Sequence, residues 1–190
     1  MILSRKYRVE IIALETPKVL NKCHRCKKST EFYCSEKFRG NAQQKSIDIW
    51  LIYKCVHCDS TWNYPILSRV HTNSMDKVLH QKFMNNDRET AWEYAFQMDQ
   101  LCKACSEVNT NIEYTLKIET VEHKENNIKI ILFSKYKFDL RLDKLLKEIL
   151  DVSRSKLYQM ADSSSIITSP QVSMNSKIKE DLLITVTAID

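Results

Sequence analysis

The sequence predicts an α+β fold, and three observations carry the prediction. Two Cys-x2-Cys pairs, Cys23 with Cys26 and Cys55 with Cys58, bracket a run in which apolar and polar residues alternate. Apolar residues then recur at three-and-four spacing between residues 75 and 108, and again between 142 and 161, which is the stripe of an amphipathic helix. An alternating stretch at 112–118 and the closing run at 182–186 follow the helical regions and read as strands. These patterns divide the chain into a β-rich module over residues 1–70, helices with a β-hairpin over 71–135, and a helix-pair domain over 136–190.

Taken in order, Tyr7-Arg8-Val9-Glu10-Ile11 alternates as a strand that ends before Thr16-Pro17. Residues 31–35 read as a second strand, and Ile47, Ile49, Leu51 and Tyr53 share one face of a third that enters the second cysteine pair. The turn between them is placed at Gly40-Asn41, because glycine adopts the positive φ of a tight turn without steric cost. Met75, Val78, Leu79 and Phe83 then mark one face of a helix that Asn85-Asn86 breaks. Asp87 is the expected N-cap of a longer helix over 88–108, with Ala91, Tyr94, Ala95, Met98, Leu101, Cys102, Cys105 and Val108 on its buried face. Ile112, Tyr114, Leu116 and Ile118 alternate with polar residues, and the strand at 128–133 returns after a polar turn at 123–127, forming the expected hairpin. Near the C-terminus, Leu142, Leu145, Leu146, Ile149 and Leu150 form a helical stripe behind Asp139 as N-cap. Ser153 caps the next helix, which buries Leu157, Met160 and Ala161 and ends at Ser163-Ser164-Ser165.

Composition narrows the class. The 190 residues are 43% hydrophobic with a net charge of +5, in the range of a globular protein. Arg5, Lys6, Arg8 and Glu10 interrupt any apolar leader, and no stretch approaches the ~20 apolar residues of a membrane span, so a cytosolic (cytoplasmic) protein is expected. Residues 1–70 hold 13 Lys and Arg against 6 Asp and Glu, whereas residues 136–190 hold 8 of each. The basic N-terminal third therefore suits an anionic partner.

Seven cysteines without a secretion signal favour metal binding over a disulfide framework. Two Cys-x2-Cys pairs separated by 28 residues are two knuckles joined by a long hairpin. A two-residue gap lets one turn present both sulfurs to the same ion, and zinc takes four thiolates tetrahedrally. Cys23, Cys26, Cys55 and Cys58 are accordingly expected to bind one structural zinc ion. Four cysteines leave no position for water, so catalysis at this metal is not expected. His24 and His57 lie inside the knuckles and are read as solvent-facing. Lys22, Arg25, Lys27, Lys28 and Lys54 crowd the knuckles, where they offset the −2 charge of a four-thiolate zinc centre.

Two readings compete for Phe38, Trp50, Tyr53, Trp62 and Tyr64, which interleave with Lys37, Arg39, Lys45 and Lys54. They form either the core of a small metal-held module or a platform for stacked bases, and the core is the stronger expectation. Cys102 and Cys105 make a third Cys-x2-Cys within the apolar face of a helix, so buried core thiols are expected rather than a redox pair. Cys34, in a strand, is expected in the core as well.

Two resemblances add to this. The run Cys55-Val56-His57-Cys58-Asp59, with Asp48-Ile49-Trp50-Leu51-Ile52-Tyr53 and Lys37-Phe38-Arg39-Gly40-Asn41-Ala42 before it, resembles an uncharacterised bacterial zinc-ribbon family, a domain of unknown function numbered ten sixty-two. Arg141-Leu142-Asp143-Lys144-Leu145-Leu146, followed by Ser153-Arg154-Ser155-Lys156-Leu157, resembles the alpha-L RNA-binding motif of ribosomal small-subunit protein four, tyrosyl-tRNA synthetases and pseudouridine synthases. The tail over 177–186 is similar to that motif's closing strand, although serines 163–165 stand where it carries glycine. This second resemblance implies a C-terminal alpha-L-like fold in which Arg141, Lys144, Ser153, Arg154, Ser155 and Lys156 face structured RNA.

The function that follows is a non-enzymatic, zinc-containing RNA-binding or ribosome-associated protein. A zinc-stabilised protein-interaction adaptor and a thiol redox protein using Cys102 and Cys105 are the alternatives. Paired carboxylates at catalytic spacing, a Gly-rich phosphate loop and a nucleophile elbow are all missing from the sequence, so no residues point to an enzyme.

Overall fold

A computed structural model describes residues 5–43, 45–122, 127–178 and 181–187. It is mostly β, with 46% strand and 25% helix in two five-stranded sheets and five α-helices, which corrects the α+β expectation. Two compact units account for the chain, one formed by residues 16–110 and the other by residues 1–15 together with 111–190. The segment 71–135 is shared between them. No helix of the described residues is long and apolar enough to cross a membrane.

In the 16–110 unit, β2 (Lys18–Lys22), β3 (Ser29–Gln43), β4 (Ser46–Cys55), β5 (Thr61–His71) and β6 (Glu107–Asn109) form an antiparallel sheet in the order β5-β4-β3-β2-β6. The alternation in β4 decides which side is covered, because Ile47, Ile49, Leu51, Tyr53 and Cys55 are all buried and their neighbours are not. Phe32, Val19 and Tyr64 from the adjoining strands join this face. It is covered by α1 (Lys77–Met84), α2 (Arg88–Ala95) and α3 (Met98–Ala104), which contribute Phe83, Ala91, Ala95 and Leu101.

Three local expectations change here. Gly40 lies inside β3 opposite Ile49, and pairing runs on to Gln43 with Ser46, so the chain reverses after Gln43. Its φ is not positive; a Cβ there would lie 3.0 Å from the Met84 methyl, so the glycine is the site of a close approach. The expected helix over 88–108 breaks at Phe96-Gln97. A continuous helix would carry residues 106–109 away from the sheet, where they instead pair with β2: the Ser106 amide donates to Leu20 O (3.1 Å), and Val108 stands opposite Val19. After that break only Leu101 of α3 is fully buried, and Cys102 is exposed.

In the other unit, β1 (Arg5–Ala13), β7 (Tyr114–Glu122), β8 (Asn127–Ser134), β9 (Ile166–Ser169) and β10 (Leu182–Thr187) form a mixed sheet in the order β7-β1-β8-β10-β9. The expected hairpin is corrected, because β1 lies between β7 and β8, antiparallel to the first and parallel to the second. Residues 123–126 of its turn lie outside the described residues. Val9, Ile11, Ile130, Leu132, Leu182, Ile184 and Val186 form the core face. The helices α4 (Leu142–Leu150) and α5 (Arg154–Asp162) bury Leu142, Leu145, Leu146, Leu157 and Met160.

The alpha-L expectation is also corrected. The two C-terminal helices carry no small sheet of their own, since β9 and β10 extend the five-stranded sheet through β8. Residues 179 and 180 of the expected closing segment lie outside the described residues. Arg141, not Asp139, occupies the N-cap of α4. The first helical amides need no side-chain cap there, because Leu142 N donates to Ser176 O (3.0 Å) and Asp143 N to Met174 O (2.8 Å). Asp139 pairs instead with Lys177.

Candidate metal centre

The cysteine pairs lie on two turns of the same construction. After Cys23, the Lys27 amide donates to Cys23 O (2.9 Å), Lys27 takes a left-handed φ of 59°, and the Cys23 amide closes the loop on Lys28 O (3.0 Å). After Cys55, the Asp59 amide donates to Cys55 O (3.0 Å), Asp59 has φ 57°, and the Cys55 amide donates to Ser60 O (2.9 Å). Each pair is thus presented by a tight turn that starts at the end of a strand. β3 and β4 bring the turns together, pairing Phe32 with Cys55.

The four sulfurs all lie within 4.8 Å of one another, with Cys23 Sγ 3.5 Å from Cys58 Sγ and Cys26 Sγ 3.9 Å from Cys55 Sγ. Tetrahedral zinc with ~2.3 Å bonds to sulfur requires sulfurs ~3.8 Å apart, so these side chains fit one ion. Cys23 and Cys55 are buried, and Cys26 and Cys58 are partly so. His24 and His57 are exposed, as expected for residues that turn away from the sulfurs.

Two hydroxyls that the cysteine spacing did not mark complete the surroundings. Ser60 Oγ lies 3.0 Å from Cys23 Sγ and 3.2 Å from Cys58 Sγ, and Thr30 Oγ1 lies 3.2 Å from Cys55 Sγ. Thr30 is buried. Their signal in the sequence is positional: Ser60 holds the turn-closing place after the second pair, and Thr30 stands one residue into the strand leaving the first.

The thiols have unequal acidity. The Ser60 hydroxyl and then the Cys26 amide bring the Cys23 thiol down to about 5. Cys26, hydrogen-bonded to Cys58 and desolvated, is pushed up to about 12. Burial opposes ionisation of Cys55, but Thr30 and the His57 and Cys58 amides overcome it and leave that thiol below its ordinary value. Crowded sulfurs share protons in this way until a dication replaces them, because a coordinating thiol is deprotonated outright.

Arg141 donates to both oxygens of Asp143, Nε at 3.1 Å and Nη2 at 2.7 Å, while Arg154 Nε lies 3.3 Å from the same carboxylate and Tyr158 Oη donates to it. Asp143 has a fully buried side chain, so both guanidiniums serve an internal charge. Lys144 Nζ lies over the Tyr114 ring at 5.6 Å. Ser153 is the N-cap of α5 and accepts from the Lys156 amide (3.2 Å), and Ser155 and Lys156 are exposed. The buried-thiol expectation is corrected for Cys102, which is exposed; Cys105 is partly buried and donates to Leu101 O (3.1 Å), with burial raising its pKa. A raised thiol at a helix C-terminus is poorly disposed to react.

Comparison with known proteins places the chain in one family. Its model, described as Protein of unknown function (DUF1062), matches residues 40–172, more than half of the chain, and the chain belongs to that family. No curated protein matches, and no solved structure matches.

Proposed function

We propose that this chain is a non-enzymatic RNA-binding protein in which Cys23, Cys26, Cys55 and Cys58 hold one structural zinc ion. The observation that carries the metal assignment is the convergence of four thiols within 4.8 Å on two matching turns. All four ligand positions of a tetrahedral ion are then filled by protein, which leaves no place for an activated water or a substrate. The ion's work is to join β3 and β4 at the end where their turns would otherwise splay.

The RNA reading rests on charge. Lys22, Arg25, Lys27 and Lys28 are exposed around the first knuckle, and their number exceeds what a −2 metal centre needs. The ribosome, or another structured RNA, supplies the matching polyanion.

Elemental analysis of the purified protein tests the metal, with one zinc per chain expected and metal-free folded protein overturning it. Cys55→Ser should lose the ion and loosen the 16–110 unit, since metal binding and folding are coupled. Crosslinking in cells followed by sequencing of bound RNA tests the partner, and recovery no better than that of an inert control protein would sink the reading.

A further inference from the structure

The sheet of the 16–110 unit has two faces, and only one is covered by helices. Register places Leu20, Tyr33, Lys37, Arg39, Trp50, Ile52, Lys54, Asn63 and Pro65 together on the other. None of these residues is buried, whereas the residues alternating with them form the core. The sequence grouped the aromatic residues of this region as one set; the structure separates them. Tyr53 and Tyr64 are fully buried, with Trp62 5.4 Å from Tyr53, and Phe38 packs on Phe83 at 4.8 Å. Trp50 and Tyr33 stand on the opposite face, and among the described residues neither ring packs on another aromatic ring.

Cations surround these two rings. Arg39 is directly opposite Trp50, with Pro65 on its other side, and Lys54 is directly opposite Tyr33. Lys37 lies between them on β3, opposite Ile52. Trp50 and Lys54 are four residues apart on β4, which places the two aromatic positions ~13 Å apart along the strand. Two carboxylates share this face and keep their charge, each accepting from a neutral donor: Asp48 from the Arg69 amide (2.8 Å) and Glu31 from Asn109 (2.9 Å). Tyr33 is steadied by its hydroxyl, which donates to Asp59 (3.1 Å).

We infer that this open face binds single-stranded RNA, with bases stacking on Trp50 and Tyr33 while Lys37, Arg39 and Lys54 follow the phosphates. The inference rests on the RNA-binding reading above and gives it a surface and a strand form. Flat rings with cations between them suit unpaired bases, because a duplex keeps its base faces stacked inside. Ionic contacts to the backbone carry no sequence information, so recognition is expected to tolerate many sequences.

The test is fluorescence anisotropy of a labelled mixed-sequence 12-mer RNA with wild type, Trp50→Ala, Trp50→Phe and Arg39→Ala, at several salt concentrations. The same strand as DNA and as an RNA duplex serves for comparison. Zinc content and far-UV circular dichroism of each variant show that the fold is kept. The expected result is tighter binding of the single RNA strand than of duplex or DNA, and about tenfold or greater weakening by Trp50→Ala that Trp50→Phe largely restores. Arg39→Ala should lower the slope of log affinity against log salt by ~0.7. Wild type that binds no RNA overturns the RNA-binding reading and this surface together. Wild type that binds RNA with Trp50→Ala and Arg39→Ala unaffected overturns the surface alone. Equal binding of DNA, or a preference for duplex, overturns the assignment to single-stranded RNA.

Discussion

Asp143 shows how one side chain can decide what its neighbours are free to do. It is a buried carboxylate at the start of α4, and it is tolerable there only because Arg141 and Tyr158 supply its hydrogen bonds and Arg154 adds a second ion pair. Burial alone would raise its pKa; Arg141 and then Arg154 outweigh it, so the carboxyl titrates below its ordinary value. A depressed carboxylate stabilises the fold above its unfolded pKa of ~3.9, and that contribution fades as pH falls through the lower folded value. Asp143→Asn should therefore cost about 1 to 2 kcal/mol near neutral pH, a figure held down by the exposure of both guanidiniums. Urea unfolding as a function of pH should show the wild-type advantage constant above pH ~5 and fading in more acid solution. An unchanged midpoint at pH 7 would mean that solvent serves the two arginines equally well. This carboxylate is also what a sequence reading that groups Arg141 with Arg154 leaves out, because the two guanidiniums share an internal partner. Spacing brought the cations together, but nothing in it revealed that Asp143 lies beneath both.

Between elements, the junction of α1 and α2 is held by Asn86. This residue takes a left-handed φ of 53° after the C-cap Asn85, and its Oδ1 accepts from the Phe38 amide of β3 at 2.7 Å. The bulge between Cys34 and Lys37 faces the same helices, where Glu36 accepts from Trp92 Nε1 (2.6 Å) and Arg88 Nε (3.0 Å). Asn86→Ala would combine the cost of αL backbone with an unsatisfied amide, roughly 2 to 4 kcal/mol together. Asn86→Gly, free of the backbone cost, should recover about 1 kcal/mol of that loss. Denaturant titration of both variants separates the terms, and equal losses would refute the backbone part. Helices and strands were legible in the sequence where their period was unbroken, as in β4, α4 and α5. Partners were not. The alternation of Val9 and Ile11 shows a strand with one buried face, and it is silent on whether β1 pairs beside the cysteine module or between β7 and β8. The break at Phe96-Gln97 escaped because the helical stripe continues through it, and the later pairing of Val108 with Val19 depends on a strand far away in sequence.

At the scale of the whole molecule, the four-cysteine cluster belongs to one unit alone. The cysteine spacing revealed it from the start, since two short gaps constrain geometry locally and need no knowledge of distant pairing. The units differ in what holds them. The β7-β1-β8-β10-β9 sheet buries Val9, Ile130, Leu132, Leu142, Leu145, Leu146, Leu157 and Ile184 completely or nearly so, an aliphatic core that needs no ion. The 16–110 unit relies on aromatic residues and on the sulfur cluster, with Cys23 and Cys55 themselves part of the buried set. Removing the metal would leave buried thiols with unequal protonation and a pair of turns without a common tie. Chelation should therefore loosen residues 16–110 selectively. Hydrogen exchange read by mass spectrometry would follow it, with faster exchange in β3 and β4 near Cys55 and little change in β8 and β10. Zinc restored in excess should reverse the effect, because binding free energy at such a site is folding free energy. Uniform exchange across both units would show that the chain unfolds as one body, and no change in β3 and β4 would show that the sheet stands without the ion.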